Sequence, residues 1–163
     1  MNRRSLFATL AATALATALP LSAARAADDA LGVVTAYLAA WNAHDSTAAA
    51  AHFAETVSYY DASVGTPVIG REAAKTGVID NFLNAVPDAV WTITGTPIVQ
   101  DGRVAFEWEF KGTNSGAWVD GTAATGKSFS LTGASVFVID GGLISNQSDY
   151  YDALGFYKQL GLM

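Results

Sequence analysis

From Ala89 onward the hydrophobic period of the chain changes to two, and this limits the fold more than any other feature of the sequence. Residues 103–113 are the clearest case. Val104, Phe106, Trp108 and Phe110 fall on one side, with Ala105, Glu107, Glu109 and Lys111 on the other. That is a strand with one buried and one wet face. Asp101-Gly102 before it is a hairpin turn pair. It joins the strand to another over residues 89–100, where Gly95 and Pro97 predict a bulge. Residues 114–127 form a long Gly- and Thr-rich loop containing Trp118. Residues 128–139, the turn Asp140-Gly141-Gly142 and residues 143–151 make a second hairpin. Residues 153–160 are a terminal helical turn or two.

Before Ala89 the pattern is mainly helical. Asp28 or Asp29 caps a first helix, with Ala30, Val34, Tyr37, Leu38 and Trp41 as one apolar stripe. Asn42-Ala43-His44-Asp45 breaks it. Asp45 or Ser46 caps a second short helix, residues 47–55, that buries Ala49 and Phe53. Residues 57–61 alternate as a first strand, and residues 62–70 are a loop. Residues 71–85 form a third helix, weakened by Gly77, with Ala74, Val78, Phe82 and Leu83 inward, and Pro87 ends it. Helices first and an antiparallel meander afterwards predict an α+β fold with helices on one face of a curved sheet.

Of the 163 residues, 51% are apolar and 15% charged, which marks a core-forming chain of one domain. The formal charge of -6 argues against nucleic-acid binding, and the absence of cysteine excludes disulfides and thiol chemistry. The basic start Met1-Asn2-Arg3-Arg4, the apolar run over residues 5–22 and Ala24-Arg25-Ala26 read as a cleaved export signal, residues 1–26. Arg3-Arg4 before Ser5-Leu6-Phe7 is similar to a twin-arginine signal. A single domain, residues 27–163, is then expected in the periplasm or secreted, with no membrane association after signal removal.

Several stretches in order resemble the SnoaL-like polyketide cyclase branch of the nuclear transport factor 2-like superfamily. They are Trp41-Asn42-Ala43-His44-Asp45, Gly70-Arg71-Glu72-Ala73, Val86-Pro87-Asp88, Gly112-Thr113-Asn114-Ser115-Gly116, Ala124-Thr125-Gly126-Lys127, Asp140-Gly141-Gly142-Leu143-Ile144 and Asp149-Tyr150-Tyr151-Asp152. The resemblance implies a conical fold: a strongly curved antiparallel sheet with three N-terminal helices enclosing a pocket. It also implies a homodimer. The superfold hosts cyclases, isomerases, dehydratases, epoxide hydrolases and non-catalytic binders. In the cyclases an aspartate of the final segment is the general acid/base, and Asp149 is the matching position. The Gly-Thr-x-x-Gly segment of that branch usually carries a histidine where this chain has Asn114.

Asp149 is therefore the candidate catalytic residue. A carboxyl group among aromatic residues loses solvation, so its pKa rises toward the range where it can shuttle a proton. Trp108, Phe137 and Tyr151 are candidates for the apolar wall. The competing reading leaves Asp149 exposed at a strand end, with Asp152 capping the terminal helix. Alternation puts Tyr59 and Asp61 on one strand face. They line a pocket, or else lie at its rim with Asp61 solvated. Trp41, Trp91, Trp108 and Trp118 are core residues by default. Trp41 and Trp108 are nonetheless candidate ligand contacts, and Trp118, in its Gly-rich loop, is a candidate lid contact. Tyr59, Asn114 or Tyr151 would polarise a carbonyl.

His44 reads as a helix-junction residue and His52 as a surface one. Together they make no metal motif, so neither a metal nor an organic cofactor is expected. No Gly-x-Ser-x-Gly elbow, phosphate loop or dinucleotide fingerprint occurs. After the leader only Arg71 and Arg103 remain, which weighs against an epoxide hydrolase. Two functions stay open. One is acid/base cyclisation or isomerisation of a small apolar or aromatic carbonyl compound. The other is a non-catalytic module that binds a hydrophobic ligand or dimerises.

Overall fold

The apolar stripe of the first helix sets where the core lies. The computed structural model describes the backbone from Leu19 and the side chains from Asp29; residues 1–18, with the basic start and most of the expected leader, lie outside the described residues. Helix α1 (Leu19–Asn42) buries Ala30, Val34, Tyr37, Leu38 and Trp41. It begins upstream of the expected cap, so Asp28 and Asp29 are inside it. The Ala- and Leu-rich backbone before them propagates a helix readily. Its C-terminal end is pinned by Asn42, whose amide exchanges two 2.8 Å hydrogen bonds with the backbone of Trp91. His44 turns the chain with φ 56° and reaches Ala89 O at 2.8 Å.

Asp45 caps α2 (Ser46–Ala51) by accepting from Ala48 N. The helix is shorter than expected. Strand β1 (Phe53–Asp61) starts four residues early, because Ile144 N donates to His52 O and draws Phe53 into register with Ile144. β2 (Val68–Ile69), a short strand inside the predicted loop, pairs with β1. The expected third helix is α3 (Arg71–Ala74), a wider π turn (Lys75–Ile79) around Gly77, and α4 (Asp80–Ala85). Ala74, Val78, Phe82 and Leu83 are its inner face, as the spacing predicts.

The expected strand over 89–100 is two strands, β3 (Val90–Ile93) and β4 (Ile98–Gln100), both antiparallel to β5 (Arg103–Thr113). Pro97 has no N–H to give, so the ladder breaks there instead of bulging. Asp101 and Gly102 both have positive φ, as a type I′ hairpin turn requires. β6 (Ser128–Asp140) and β7 (Leu143–Tyr151) close the meander, and Asp152 caps α5 (Ala153–Leu160) by accepting from Gly155 N. Sheet order is β2-β1-β7-β6-β5-β3, with β4 also on β5. One pairing departs from the antiparallel expectation: β1 runs parallel to β7, so the curved sheet is mixed. The helices pack on its concave side, as in a cone. Among the described residues no helix is long and apolar enough to cross a membrane.

Close approach decides one position on β6. A Cβ on Gly133 would fall inside contact distance of the Trp108 ring and of Tyr150 O. Gly133→Ala is therefore expected to lower stability by about 1–3 kcal/mol through overpacking. Gly77→Ala, with nothing within 4 Å, is expected to be neutral or to stabilise by about 0.5–1 kcal/mol. Urea unfolding of the two variants checks the contrast.

Candidate functional site

Side chains alternate along a strand, so Tyr59 and Asp61 of β1 share a face, as do Gln147, Asp149 and Tyr151 of β7. The parallel register sets Tyr59 beside Gln147 and Asp61 beside Asp149. Each tyrosine then serves the aspartate of the other strand. Tyr59 Oη donates to Asp149 Oδ2 at 2.8 Å, and Tyr151 Oη donates to Asp61 Oδ1 at 2.9 Å.

Asp149 has two more donors. Gln147 Nε2 donates to Oδ2 at 2.9 Å, and Ser135 Oγ, opposite on β6, donates to Oδ1 at 2.5 Å. Trp108 Nε1 donates to Ser135 Oγ at 2.8 Å, which leaves the serine proton for the carboxylate. Asp61 Oδ1 also accepts from Ser63 Oγ and Ser63 N. The two carboxyl groups are 3% and 4% exposed, so neither is the solvated strand-end acid of the competing readings.

Burial, and after it the charge of Asp61, push the Asp149 carboxyl up to about 7 against the pull of the Ser135, Tyr59 and Gln147 hydrogen bonds. Burial also raises Asp61, against the pull of Ser63, Tyr151 and Val64. Both phenols are pushed up by burial and by the nearby carboxylates, and so remain donors. No Lys or Arg lines this space. Two buried acids without a cation beside them do not both ionise easily, in keeping with the upward direction of both shifts.

The carboxyl pair forms one wall of a cavity of about 30 Å³. Opposite stand Trp41, Trp91, Trp108 and Phe110, with Phe82 and Leu131 completing the enclosure. Trp91 meets Trp41 edge-on at 5.5 Å and Trp108 at 5.9 Å. The volume is enough to hold a water-sized group. It admits a reacting group, and a larger ligand requires the aromatic wall to yield.

Of the sequence-derived candidates, Asp149, Tyr59, Asp61, Trp41, Trp108 and Tyr151 meet at this cavity. Asn114 does not. It is fully buried in the 114–127 loop, with Nδ2 donating to Ala85 O and Gly116 O and Oδ1 accepting from Thr125 N. Its amide is spent on the backbone and cannot polarise a ligand carbonyl. Trp118 lies one layer out, packed edge-on against Phe82 and Phe156 at 5.4 and 5.9 Å. Phe137 is core, stacked on Phe106, and is not part of the wall.

Sequence reasoning missed Ser135, Gln147, Trp91 and Phe110 as site residues. Alternation from Asp149 and Trp108 reaches Gln147 and Phe110. Ser135 is visible only through the β6–β7 register. Among the described residues no cluster of His, Asp or Glu is placed to hold a metal ion.

Residues 34–147 match the SnoaL-like domain. No curated protein matches the sequence. Among solved structures, TsrD from Streptomyces laurentii is 23% identical with a TM-score of 0.70, covering 83% of this chain and 97% of its own. A Catenulispora acidiphila protein with a ketosteroid isomerase-like fold, in complex with trimethylamine, is 26% identical with a TM-score of 0.66, covering 79% and 92%. A candidate polyketide cyclase from Xanthomonas campestris pv. campestris is 26% identical with a TM-score of 0.65, covering 83% and 98%.

The raised Asp149 carboxyl carries a stability signature. Between the unfolded and folded pKa values the folded chain holds a proton that the unfolded chain has lost, so stability falls as pH rises. The unfolding free energy from urea titrations is expected to fall from pH 5 to pH 8 by on the order of 2 kcal/mol. Asp149→Asn should flatten most of that slope.

Proposed function

Since the chain belongs to the SnoaL-like domain family, we propose that it binds a small apolar or aromatic carbonyl compound and transfers a proton at the carbon beside the carbonyl. Such transfer underlies both cyclisation and isomerisation. The observation that carries this reading is the buried Asp149 carboxyl, held by three donors beside Asp61 in an aromatic-lined cavity and raised to about 7. A group poised near the working pH is both a competent base and a competent acid.

Ionised Asp149 takes the α-proton, and the C–H electron pair moves into the enolate. In an aldol closure the enolate carbon bonds to a second carbonyl carbon, whose π pair becomes an alkoxide. Asp149 then returns its proton to that oxygen. In an isomerisation it returns the proton to a different carbon. Tyr59 and Tyr151, kept protonated, commit their O–H protons to Asp149 and Asp61 and hold those carboxyl groups in place. Trp41 and Trp91 line the cavity and each keeps a buried indole N–H without a partner. An oxygen acceptor on the ligand would recover what those donors lose by burial. The chemistry requires no metal or organic cofactor, because acid, base and oxyanion donor are all side chains.

The proposal places this activity outside the cytoplasm, in a protein that acts as a homodimer. Arg3-Arg4 and Ala24-Arg25-Ala26 support export and cleavage. Cleavage after Ala26 leaves the buried stripe from Ala30 intact and puts Asp28 and Asp29 in the first turn of α1, where carboxylates are favourable.

One observation favours the second function, a non-catalytic ligand-binding or dimerisation module: the cavity measures only about 30 Å³. Deuterium exchange separates the two. With 1-tetralone in D2O near neutrality, the protein is expected to exchange the α-protons faster than buffer alone. Asp149→Asn should reduce that rate by about 100-fold or more, with its circular dichroism unchanged. Exchange no faster than buffer, or an Asp149→Asn variant as fast as wild type, removes the catalytic assignment.

A further inference from the structure

Behind the carboxyl pair, away from the cavity, the core holds a donor and an acceptor that complement each other. Tyr37, on the inner stripe of α1, and Gln147, on β7, are both fully buried. Among the described residues, neither Tyr37 Oη nor Gln147 Oε1 has a hydrogen-bond partner. The orientation of the Gln147 amide follows from its neighbour. An ionised carboxylate only accepts, so the amide turns Nε2 to Asp149 Oδ2 and its oxygen away. Register shows what stands beside it. Gln147 lies between Tyr59 of β1 and Phe137 of β6. The Tyr37 ring packs over that row, 5.9 Å from the ring of Phe137 and 5.2 Å from that of Phe53, which meets Tyr59 at 5.8 Å. The Tyr37 hydroxyl faces Trp41, Tyr59 and Gln147.

Resting on the acid/base reading, we propose that Tyr37 is a positioning residue: its O–H is given to Gln147 Oε1, directly or through one water, and so holds the Gln147 amide on the Asp149 carboxyl. A buried donor and a buried acceptor are each costly alone, and one hydrogen bond between them removes both costs. Trp41 Nε1 has no lone pair, so it is no destination for the Tyr37 proton. Tyr59 Oη is the competing acceptor, but it already serves Asp149, whereas Gln147 Oε1 has no other donor. Burial, and after it the charge of Asp149, push the Tyr37 phenol far up, so it keeps the proton it gives. The bond stops the amide from rotating off Asp149 and polarises its N–H toward the carboxylate. The other titratable groups facing Asp149 are Asp61 and Tyr59 on β1 and Tyr151 on its own strand. Tyr37 does not line the cavity, so its effect does not pass through ligand contact.

The test is a carbon-13 NMR titration of the aspartate carboxyls in the whole chain, with Asp149 assigned from its loss in Asp149→Asn. No ligand is needed. Gln147→Met removes a charge-assisted donor and should raise the Asp149 midpoint by about one pH unit or more. Tyr37→Phe keeps the ring and its packing and should raise it by about half a pH unit. In the Gln147→Met background, Tyr37→Phe should add no more than about 0.2 pH unit, whereas in the Tyr59→Phe background it should keep its full effect. The urea midpoint of Tyr37→Phe should fall, because removing a hydroxyl that had no partner would raise it. The pH profile of α-proton exchange with 1-tetralone should move with the Asp149 midpoint in each variant.

An unmoved Asp149 midpoint in Tyr37→Phe, or a higher urea midpoint, overturns the positioning role. So does a Tyr37→Phe effect that survives in full in the Gln147→Met background, or one that vanishes in the Tyr59→Phe background. The two readings fail separately. Coupled titration of Tyr37 and Gln147 without exchange above buffer in the wild type would leave the hydrogen-bond chain and remove the acid/base reading. Exchange that depends on Asp149 and is unchanged in rate and pH profile by Tyr37→Phe would leave the acid/base reading and remove the positioning role.

Discussion

The parallel pairing of the first strand with the last is the contact on which the site depends. β1 ends at Asp61 and β7 at Tyr151, and their register brings Asp61 and Asp149 side by side. A parallel pair cannot be closed by a tight turn, so most of the chain lies between these two strands as the crossover. The α3–α4 helical segment, strands β2 to β6 and the long loop fall within that connection, whereas α1 and α2 precede it and α5 follows it. Burying two carboxyl groups beside each other is costly. It is tolerated because each strand supplies the other's tyrosine and because Ser135, Gln147 and the Ser63 turn add further donors. A strand slipped by one residue would send these acids to the opposite face and leave the tyrosines unpaired.

The aromatic residues serve two purposes with one arrangement. Tyr37, Trp41, Trp91 and Phe110 pack edge to face and fill the cone, which joins helix to sheet. The same packing buries the Asp149 carboxyl and thereby raises its pKa. Stability and chemistry therefore oppose each other here. A tighter core raises the carboxyl further and leaves less room for whatever it acts on.

Asn114 shows how a family signature can be structural. The segment Gly112-Thr113-Asn114-Ser115-Gly116 anchors the long loop to the end of α4. Gly116 N and Asn114 Nδ2 both donate to Ala85 O, and a Cβ at Gly116 would run into the carbonyl of Asn84. The relatives with a ketosteroid isomerase-like fold and a cyclase designation share the scaffold.

Hydrophobic period was enough to locate most elements. Period two in 103–113 and 128–151 predicts β5, β6 and β7, and the stripe from Ala30 to Trp41 predicts the buried face of α1, because these patterns are local consequences of backbone geometry. Local reasoning failed where a distant partner intervened. Phe53 reads as helical until Ile144 draws it into the sheet, and residues 89–100 read as one strand until Pro97 breaks the ladder against β5. The site divides the same way. Asp149, Tyr151, Tyr59 and Asp61 were legible as polar groups within aromatic strands. Which aspartate each tyrosine serves, that Ser135 completes the carboxylate's shell, that the Asn114 amide is spent on the backbone, and that the cavity is nearly filled were decided by the tertiary structure. The Tyr–Asp pairing depends on register between strands roughly ninety residues apart, and nothing in the sequence near either strand encodes it.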